Sequence, residues 1–543
     1  MGSLRQVGSE IKAIKKKLFT AIISLVGLIV LIVGPLKTGP HWDYQTDDYF
    51  FDLNLKSLSN SDGFKGDYLY GIFHSYSFSL GFIERIPYLT LRLFGLTDSF
   101  NSPIWISYRN VFVAATFLVG VLGLVCWSHY MLNLKPWITL TSILAFPIIL
   151  GHGWMNEKDF PIFSGVCSAL ALISVATTKK SISNLRLNIR IWAGLTVLLT
   201  LGVRPASFLV VLPLVCALIA YISIFDDRKN LKLKNISWTC AAVGVFIYFT
   251  NVTFRIDGLA WLLNSLNQSS NFPWYGSMLT WGKTYISPPP SEYFFMVWIS
   301  QIPVWAIVTL SVGSVLVSYK FFQKLVAFLI VHKLKPNYKR FNLKNESFWI
   351  ILVNCYLIGW LSIVYTAEFN LYDDARQLLF LWAFVLCSAL NGMSLILRTF
   401  MHQKKLIIAL YTIMISIVYV DEVKLFPYLY IYRNEIAHIA SPNGFETDYW
   451  GLSSMEASKW LLNNNKLPNG IYFAQPLDSY KPYLSPKLTP SAEPSNIDYY
   501  LGVWNPVRVV DPRPDCRVIH QITRSQVFGD LKILSIVKKC ERQ

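Results

Sequence analysis

The stretch H-W-D-Y-Q-T-D-D-Y-F-F-D, residues 41–52, carries four carboxylates among aromatic side chains. It follows a long apolar run, roughly Leu18 to Pro35. Crossing a bilayer takes about 20 apolar residues, so this run predicts a first membrane span. Acidic groups crowded against a membrane surface are costly unless they bind or react with something. The pattern therefore predicts a functional loop at the membrane surface, with a solvated acidic loop as the simpler alternative.

The composition is that of a multi-span membrane protein. The 543 residues are 53% hydrophobic and only 15% charged, whereas a soluble domain carries about a quarter charged residues. Mean hydropathy is +0.40, and several apolar runs are long enough to span a membrane. The formal charge of +17 is expected in cytoplasmic loops. We therefore expect membrane lipids, and no nucleic acid, as partners.

Basic clusters alternate with the apolar runs and set the predicted topology. Lysines at positions 12, 15, 16 and 17 place the N-terminus in the cytoplasm by the positive-inside rule. The runs predict an all-α polytopic domain over residues 1–420 with about eleven spans. After the first, the predicted spans are 104–132, 137–150, 162–177, two within 191–225 that are split at Arg204, 236–250, 293–318, 348–365, 378–397 and 406–420. Loop 37–103 is then extracytoplasmic and is the expected catalytic loop.

The tail, residues 421–543, predicts a small extracytoplasmic α/β domain. Ser-Ser-Met-Glu at 453–456 fits a capping box that opens a helix through Leu462. Residues 470–474 and 531–537 are typical of strands. The domain is expected on the same face of the membrane as the acidic loop.

The cysteines divide into two groups. Cys516 and Cys540 lie in the polar tail and could pair in an oxidising compartment. Six others fall in apolar runs, where we expect inert core residues: Cys126, Cys167, Cys216, Cys240, Cys355 and Cys387.

Charged and aromatic side chains gather near span ends on one predicted face. The candidate site residues are Asp43, Asp47, Asp48, Glu157, Lys158, Asp159, Arg204, Tyr372, Asp373 and Arg376. An aspartate can remove a proton from an attacking hydroxyl, arginines bind phosphate bidentately, and aromatic rings can stack on sugars. A polyprenyl-phosphate sugar would use all three, and a single displacement at its anomeric carbon would invert configuration.

Simpler interpretations of the same residues stay open. Lys158 and Asp159 would pair with each other at a helix start. Arg204 would anchor a span at the interface. Asp373 or Asp374 would cap the span that follows.

The first two motifs resemble those of multi-span glycosyltransferases of the GT-C superfamily. The resemblance is closest to bacterial members of family 39, the dolichyl-phosphate-mannose–protein mannosyltransferase-like group. T-D-D-Y-F-F-D-L, residues 46–53, is similar to the first-loop acidic motif of that group. G-H-G-W-M-N-E-K-D-F-P-I-F, residues 151–163, is similar to its second-loop motif, with Glu157 in place of proline.

Two later blocks extend this resemblance. L-Y-D-D-A-R-Q-L-L-F, residues 371–380, resembles a later-loop motif of the group, with Gln377 in place of histidine. F-P-Y-L-Y-I-Y-R-N, residues 426–434, followed by E-T-D-Y-W-G-L-S, residues 446–453, resembles a block that follows the last span in bacterial members.

The resemblance implies an inverting transferase of the plasma (inner) membrane. It would move a sugar from a polyprenyl-phosphate donor to a hydroxyl of a glycan, lipid or protein acceptor. It implies Asp47 as the catalytic base, with Asp48 beside it and Asp43 as the competing candidate. Asp159 would be the second-loop acid that orients the acceptor or the base.

Binding of the substrate is expected from Glu157, Lys158, Arg204, Tyr372, Asp373 and Arg376. The cations Lys158, Arg204 and Arg376 among them are the candidates for the phosphate. Some members of the superfamily need a divalent metal ion, so a metal stays an open expectation.

A transporter or flippase of a lipid-linked saccharide is the main alternative function. Transporters usually carry ionisable residues near mid-membrane and broken helices in paired halves. In this sequence the charges lie at predicted span ends, and no inverted repeat is visible, which favours an enzyme. A second alternative is a membrane-anchored binding protein in which 421–543 is the working domain.

Overall fold

The computed structural model describes most of the chain. The described residues are 25, 27, 29–56, 76–96, 102–177, 185–225, 229–258, 260–270, 272, 274–334, 345–367, 369–464, 470–484, 488–505, 507 and 511–541. The basic segment at positions 12–17 and much of the first predicted span lie outside them. The backbone of Asp48 is described, but its side chain lies outside the described set.

The described chain is mostly helical. Its helices are α1 (29–37), α2 (Tyr44–Lys56), α3 (Ser79–Leu93), α4 (Pro103–Leu132), α5 (Pro136–Leu144), α6 (Pro147–Gly153), α7 (Phe160–Thr177), α8 (Leu185–Thr200), α9 (Phe208–Phe225), α10 (Lys229–Thr250), α11 (Val252–Asp257), α12 (Ala260–Ser270), α13 (Ser291–Gln301), α14 (Val304–Leu334), α15 (Asn345–Thr366), α16 (Leu381–Thr399), α17 (Lys404–Leu425), α18 (Glu435–Ala440), α19 (Ser454–Asn464) and α20 (Leu477–Leu484).

Within these ranges, six helices are long and apolar enough to cross a membrane: α4, α7, α9, α15, α16 and α17. The pairs α5–α6 and α13–α14 also qualify, each as one bent span, which makes up to eight. The chain is therefore a multi-pass membrane protein. The total of about eleven spans stays a prediction.

Two predicted spans, 137–150 and 293–318, are broken helices. The α5–α6 pair bends by 79° and the α13–α14 pair by 107°. A proline lies at each break: Pro147 at the first and Pro303 at the second. Proline lacks the N–H that would continue the helix, so the helix is interrupted there. The carbonyl of Ala145 at the first break accepts a hydrogen bond from the Trp305 indole at 2.8 Å. The two bends are thus joined.

Glycines let neighbouring helices approach closely. A Cβ on Gly123 of α4 would lie 2.6 Å from the carbonyl oxygen of Cys167 on α7. A Cβ on Gly392 of α16 would lie 2.0 Å from the carbonyl oxygen of Thr309 on α14. Small residues at such contacts are typical of membrane helix packing.

The tail forms a small domain around a five-stranded sheet. Its strands are β3 (Ile471–Gln475), β4 (Thr489–Pro490), β5 (Tyr499–Val503), β6 (Arg517–Arg524) and β7 (Lys532–Lys539), in the order β4-β3-β5-β7-β6. A separate hairpin, β1 (Ser277–Thr280) and β2 (Lys283–Ile286), lies between α12 and α13. Both predicted strands of the tail are confirmed, and Cys516 and Cys540 form a disulfide.

The helix predicted after residue 453 exists as α19, but the predicted capping box is wrong. The Ser453 hydroxyl donates to Asp448 at 2.5 Å. The Glu456 carboxylate accepts from Tyr428 at 2.8 Å and from Arg524 at 2.5 Å. Ser453 is bound by the nearby Asp448, and Glu456 by two residues that are distant in the sequence. Neither side chain is therefore used in the local motif.

Candidate active site

The site residues expected from separate motifs meet in space. Asp43 directly precedes α2 and Asp47 lies in its first turn. Lys158 and Asp159 lie between α6 and α7, and Arg376 lies between α15 and α16. Arg204 directly precedes the short 3-10 turn that opens α9. We call this set, Asp43, Asp47, Lys158, Asp159, Arg204 and Arg376, the charged cluster.

Lys158 joins the second loop to the first. Its Nζ lies 2.7 Å from Oδ1 of Asp47 and 3.2 Å from Oδ2 of Asp43. Burial alone would lower the pKa of Lys158, but the two carboxylates outweigh it and raise this pKa. The ammonium therefore stays charged. The simpler interpretation of the sequence, in which Lys158 pairs with Asp159, is therefore wrong.

Asp159 pairs instead with two arginines. Its carboxylate lies 2.8 Å from Nη2 of Arg204 and 3.4 Å from Nη1 of Arg376. Nη2 of Arg376 also lies 3.6 Å from Asp43, and its Nε lies 3.3 Å from Asp373. Arg376 thus bridges the motifs of the first and second loops.

The two first-loop acids differ in charge environment. Burial would raise the pKa of Asp43, but Lys158 and Arg376 outweigh it and hold this pKa well below its usual range. Burial raises the pKa of Asp47, and the neighbouring Asp43 adds to that, against the attraction of Lys158. Asp43 is therefore a fixed anion, and Asp47 is the more basic carboxylate.

A local turn positions Lys158 and Asp159 of the second loop. The side-chain oxygen of Asn156 accepts from the backbone N–H of Lys158 at 3.2 Å and from that of Asp159 at 2.9 Å. Asparagine is suited to such turns because its side chain mimics a backbone acceptor. The turn sends Lys158 toward α2 and Asp159 toward the arginines.

The turn before Arg376 has an uncommon backbone. Asp373, Asp374 and Ala375 have φ values of 49°, 60° and 55°. Left-handed conformations at non-glycine residues cost free energy and persist only where the surroundings hold them. Neither aspartate caps the next helix: Asp373 pairs with Arg376 at 3.3 Å, and Asp374 with Arg433 at 2.5 Å.

A cavity of about 630 Å³ opens beside the charged cluster. Asp43, Lys158, Asp373 and Arg376 are its charged lining. Its aromatic lining is Trp42, Phe50, Tyr76, Phe272, Trp274, Tyr275, Tyr372, Tyr449 and Trp450. The size is that of a small-molecule site. Three members of the charged cluster are not in this lining: Asp47, which contacts the lining residue Lys158, and Asp159 and Arg204, which pair with each other.

Trp450 was predicted only as part of a sequence motif, but its ring packs against Arg376 of the charged cluster. The Arg376 guanidinium carbon lies 4.5 Å from the ring centroid, and the His41 ring lies 4.9 Å away. The backbone N–H of Trp42 donates to the Trp450 carbonyl at 2.9 Å. The sequence signal for Trp450 was its position in the E-T-D-Y-W-G-L-S block. The neighbouring residues in the sequence do not indicate which side chains it contacts.

Tyr372 lies in an aromatic stack that the 251–292 loop supplies. Its ring lies 4.8 Å from that of Trp274, at an interplanar angle of 12°. The Phe272 ring lies 5.9 Å from it on a similar plane. Burial raises the pKa of Tyr372 to about 12, so its hydroxyl stays protonated. These aromatic rings line the cavity.

Glu157 faces a second, smaller cavity of about 80 Å³. Nε of Arg109 lies 3.0 Å from one of its oxygens and 3.0 Å from Oε1 of Glu84. Asp47 also lines this cavity, whose other walls are largely apolar. Lys158, Tyr76 and Phe50 line both cavities and so separate them.

A metal ion fits poorly among the described side chains. His41, Asp47 and Glu157 offer ligand atoms within 4.8 Å of one another. However, Lys158 already pairs with Asp47, and Arg109 with Glu157. Burial, with Lys158 next, lowers the pKa of His41 well below its usual range. This keeps its imidazole in the neutral form that can bind a metal, so only the two carboxylates count against a metal. The carboxylates that would hold a cation are engaged, so we assign no step to a metal.

No family model and no curated protein matches the chain. Two crystal structures of ArnT from Cupriavidus metallidurans are similar to it. The one bound to undecaprenyl phosphate aligns with a TM-score of 0.44 at 10% identity, over 96% of this chain and 97% of that one. The apo structure aligns with a TM-score of 0.45 at 11% identity, over 96% and 98%. Likeness at this level does not assign the chain to a family.

Proposed function

We propose that this chain is an inverting glycosyltransferase of the GT-C type. It moves a sugar from a polyprenyl-phosphate donor to a hydroxyl of a glycan, lipid or protein at the outer face of the membrane. The observation that carries the proposal is the charged cluster, in which acids and cations from four sequence-distant stretches line or back one aromatic cavity.

Asp47 is the proposed base. It accepts the proton of the acceptor hydroxyl while that oxygen bonds to the anomeric carbon of the donor. Its raised pKa makes it a stronger base than Asp43, and general-base efficiency rises with basicity. Asp43, kept ionised by Lys158 and Arg376, would orient these two cations.

Lys158 and Arg376, which line the larger cavity, are the proposed cations for the donor phosphate, and Arg204, which pairs with Asp159 outside the lining, would support them. As the bond between the anomeric carbon and the phosphate oxygen breaks, its electron pair leaves with the phosphate. Fixed cations stabilise such developing charge strongly when they are shielded from water. All three side chains are largely buried, at 12%, 6% and 13% exposure.

The larger cavity suits the sugar of such a donor. It offers aromatic faces and charged edges, which is the chemistry that binds sugars. The smaller cavity, of about 80 Å³, is lined by Asp47, Lys158 and other charged side chains as well as by apolar ones, so it is too small and too polar for a lipid chain. Lys158 lies on the wall between the two cavities, where it would face the donor phosphate.

The test is a comparison of cells that carry the wild-type gene, a deletion, or the deletion complemented by Asp47→Asn or Asp52→Asn. Asp52 is a matched control, because it lies on the same helix but pairs with Arg85 at 3.4 Å. Envelope glycans and lipid-linked sugars are measured by mass spectrometry. We expect the deletion and Asp47→Asn to lose one glycosylated product and to accumulate its lipid-linked donor, while Asp52→Asn matches wild type.

Identical glycan and lipid pools in the deletion and the wild type would contradict the proposal. The leaflet of the accumulated donor separates the main alternative. A transferase defect leaves the lipid-linked sugar in the outer leaflet, whereas a flippase defect leaves it in the cytoplasmic leaflet.

A further inference from the structure

The turn at Asp373, Asp374 and Ala375 sets the position of Arg376. Its three successive left-handed residues hold only if neighbouring groups fix them. Its backbone is held by local bonds: Ala375 N–H donates to Tyr372 at 3.1 Å, Arg376 N–H donates to Asp373 at 3.3 Å, and the Ala375 carbonyl accepts from Leu378 at 3.0 Å. A further restraint comes from outside the turn.

That restraint is Arg433, which lies in the F-P-Y-L-Y-I-Y-R-N block. Arg433 has no role in the proposed chemistry. Its Nη2 lies 2.5 Å from Oδ2 of Asp374, and the two side chains are 0% and 1% exposed. The guanidinium also donates to the Tyr432 carbonyl at 3.0 Å and lies 5.1 Å from the Phe445 ring centroid. A buried, charge-assisted pair of this kind fixes both partners in place.

The backbone of Arg433 is in turn held by the segment between β6 and β7 of the same C-terminal domain. Gln526, between β6 and β7, accepts from its N–H at 3.2 Å and donates to its carbonyl at 2.8 Å. The same amide donates to Asp421 at 3.2 Å and is hydrogen-bonded to His438 at 2.5 Å. Gln526 is only 3% exposed, so this contact is built into the interior.

We infer that the C-terminal domain positions the active-site turn through Gln526 and Arg433. Gln526 and Arg433 are positioning residues: Gln526 fixes Arg433, which fixes Asp374 and, through the turn, places Arg376 against Asp43 and Asp159. The described geometry of this chain of contacts stands by itself. Its consequence for turnover rests on the proposed transferase function.

Hydrogen–deuterium exchange on the purified full-length protein tests the coupling without any substrate. The variant is Gln526→Leu, which replaces the amide by a shorter apolar side chain and so removes its hydrogen bonds. The matched control is Gln521→Leu, on the same hairpin at an exposed position. We expect Gln526→Leu to speed exchange of the peptide that covers residues 371–379 by about tenfold or more, and Gln521→Leu to leave it unchanged.

A charge-free swap keeps the test informative if a single variant unfolds. Arg433→Gln alone leaves Asp374 buried without its cation, which is strongly destabilising. The double variant Arg433→Gln with Asp374→Asn places two amides where the ion pair was. We expect exchange at residues 371–379 to be slower in the double variant than in Arg433→Gln alone.

Kinetics add a readout that a merely structural role would not move. If Arg376 stabilises the charge on the leaving phosphate, Gln526→Leu lowers kcat by about tenfold and changes KM for the donor less. Folded Gln526→Leu protein with wild-type exchange at residues 371–379 would overturn the inference, whether or not the chain is a transferase. Faster exchange with unchanged transfer would uphold the coupling and count against the role of Arg376 in the proposed function.

Discussion

Lys158 Nζ lies 2.7 Å from Oδ1 of Asp47, and this contact joins the proposed base to the proposed phosphate cation. Lys158→Met removes the cation while it keeps the apolar stem. We expect transfer to fall by about 10²–10³-fold, because a fixed charge facing the leaving phosphate is lost. The rate is measured on the product that disappears from the deletion strain.

Lys158→Arg is the control for this prediction. It keeps the charge but changes its shape, so we expect transfer between that of wild type and that of Lys158→Met. Wild-type transfer by Lys158→Met would show that the cation does not act on the donor.

Asp159 holds two arginines, at 2.8 Å and 3.4 Å. Asp159→Asn leaves Arg204 and Arg376 buried without their shared anion. Breaking a buried pair costs about 3–5 kcal/mol. We expect a lower midpoint of thermal unfolding in detergent and loss of transfer. An unchanged midpoint would contradict the paired geometry.

Trp450 covers Arg376 with its centroid 4.5 Å from the guanidinium carbon. Trp450→Ala removes a cation–π contact worth about 1–2 kcal/mol in a desolvated site and opens the cavity wall. We expect transfer to fall by about tenfold or more, with Trp450→Phe close to wild type. Equal activities of Trp450→Ala and wild type would rule out a role for this wall.

Lys532 is only 7% exposed, and burial, with Arg433 next, lowers its pKa to about 7. The unfolded chain has a lysine pKa of about 10.4, so between these values the unfolded state binds more protons and stability rises with pH. Lys532→Met lacks the penalty of the buried charge. We expect it to be more stable than wild type at pH 6.5, by about 4–5 kcal/mol.

This difference should shrink as the pH rises from 7 toward 10. Thermal unfolding of both proteins across that range measures it. A gap that does not change with pH would mean that folding leaves the pKa of Lys532 unshifted. A less stable Lys532→Met at pH 6.5 would mean that the ammonium is stabilised in the folded state. In that case Asp374 and Asp421, the acids that face it, would outweigh the cost of burial.

Much of the cluster was predictable from the sequence because its members carry charge beside apolar runs. Asp47, Lys158, Asp159 and Arg376 all belong to short polar motifs at predicted span ends, and the structure brings them together. The spans 137–150 and 293–318 were predicted as unbroken, although Pro147 and Pro303 disfavour an unbroken helix. The apolar run continues across each proline, so it gave no sign of the bend.

The remaining partners depend on long-range packing that no local pattern encodes. Trp450 meets Arg376, and Gln526 meets Arg433, across 74 and 93 positions of sequence. The left-handed turn at residues 373–375 contains no glycine, so the usual signal for such a backbone is missing.

The most direct test of the account is the transfer rate of Asp47→Asn beside that of Asp43→Asn, each first shown to be folded. Removal of a general base typically costs about 10²–10⁴-fold. We predict a loss of that size for Asp47→Asn and a smaller, about tenfold, loss for Asp43→Asn. Wild-type transfer by Asp47→Asn would contradict the account.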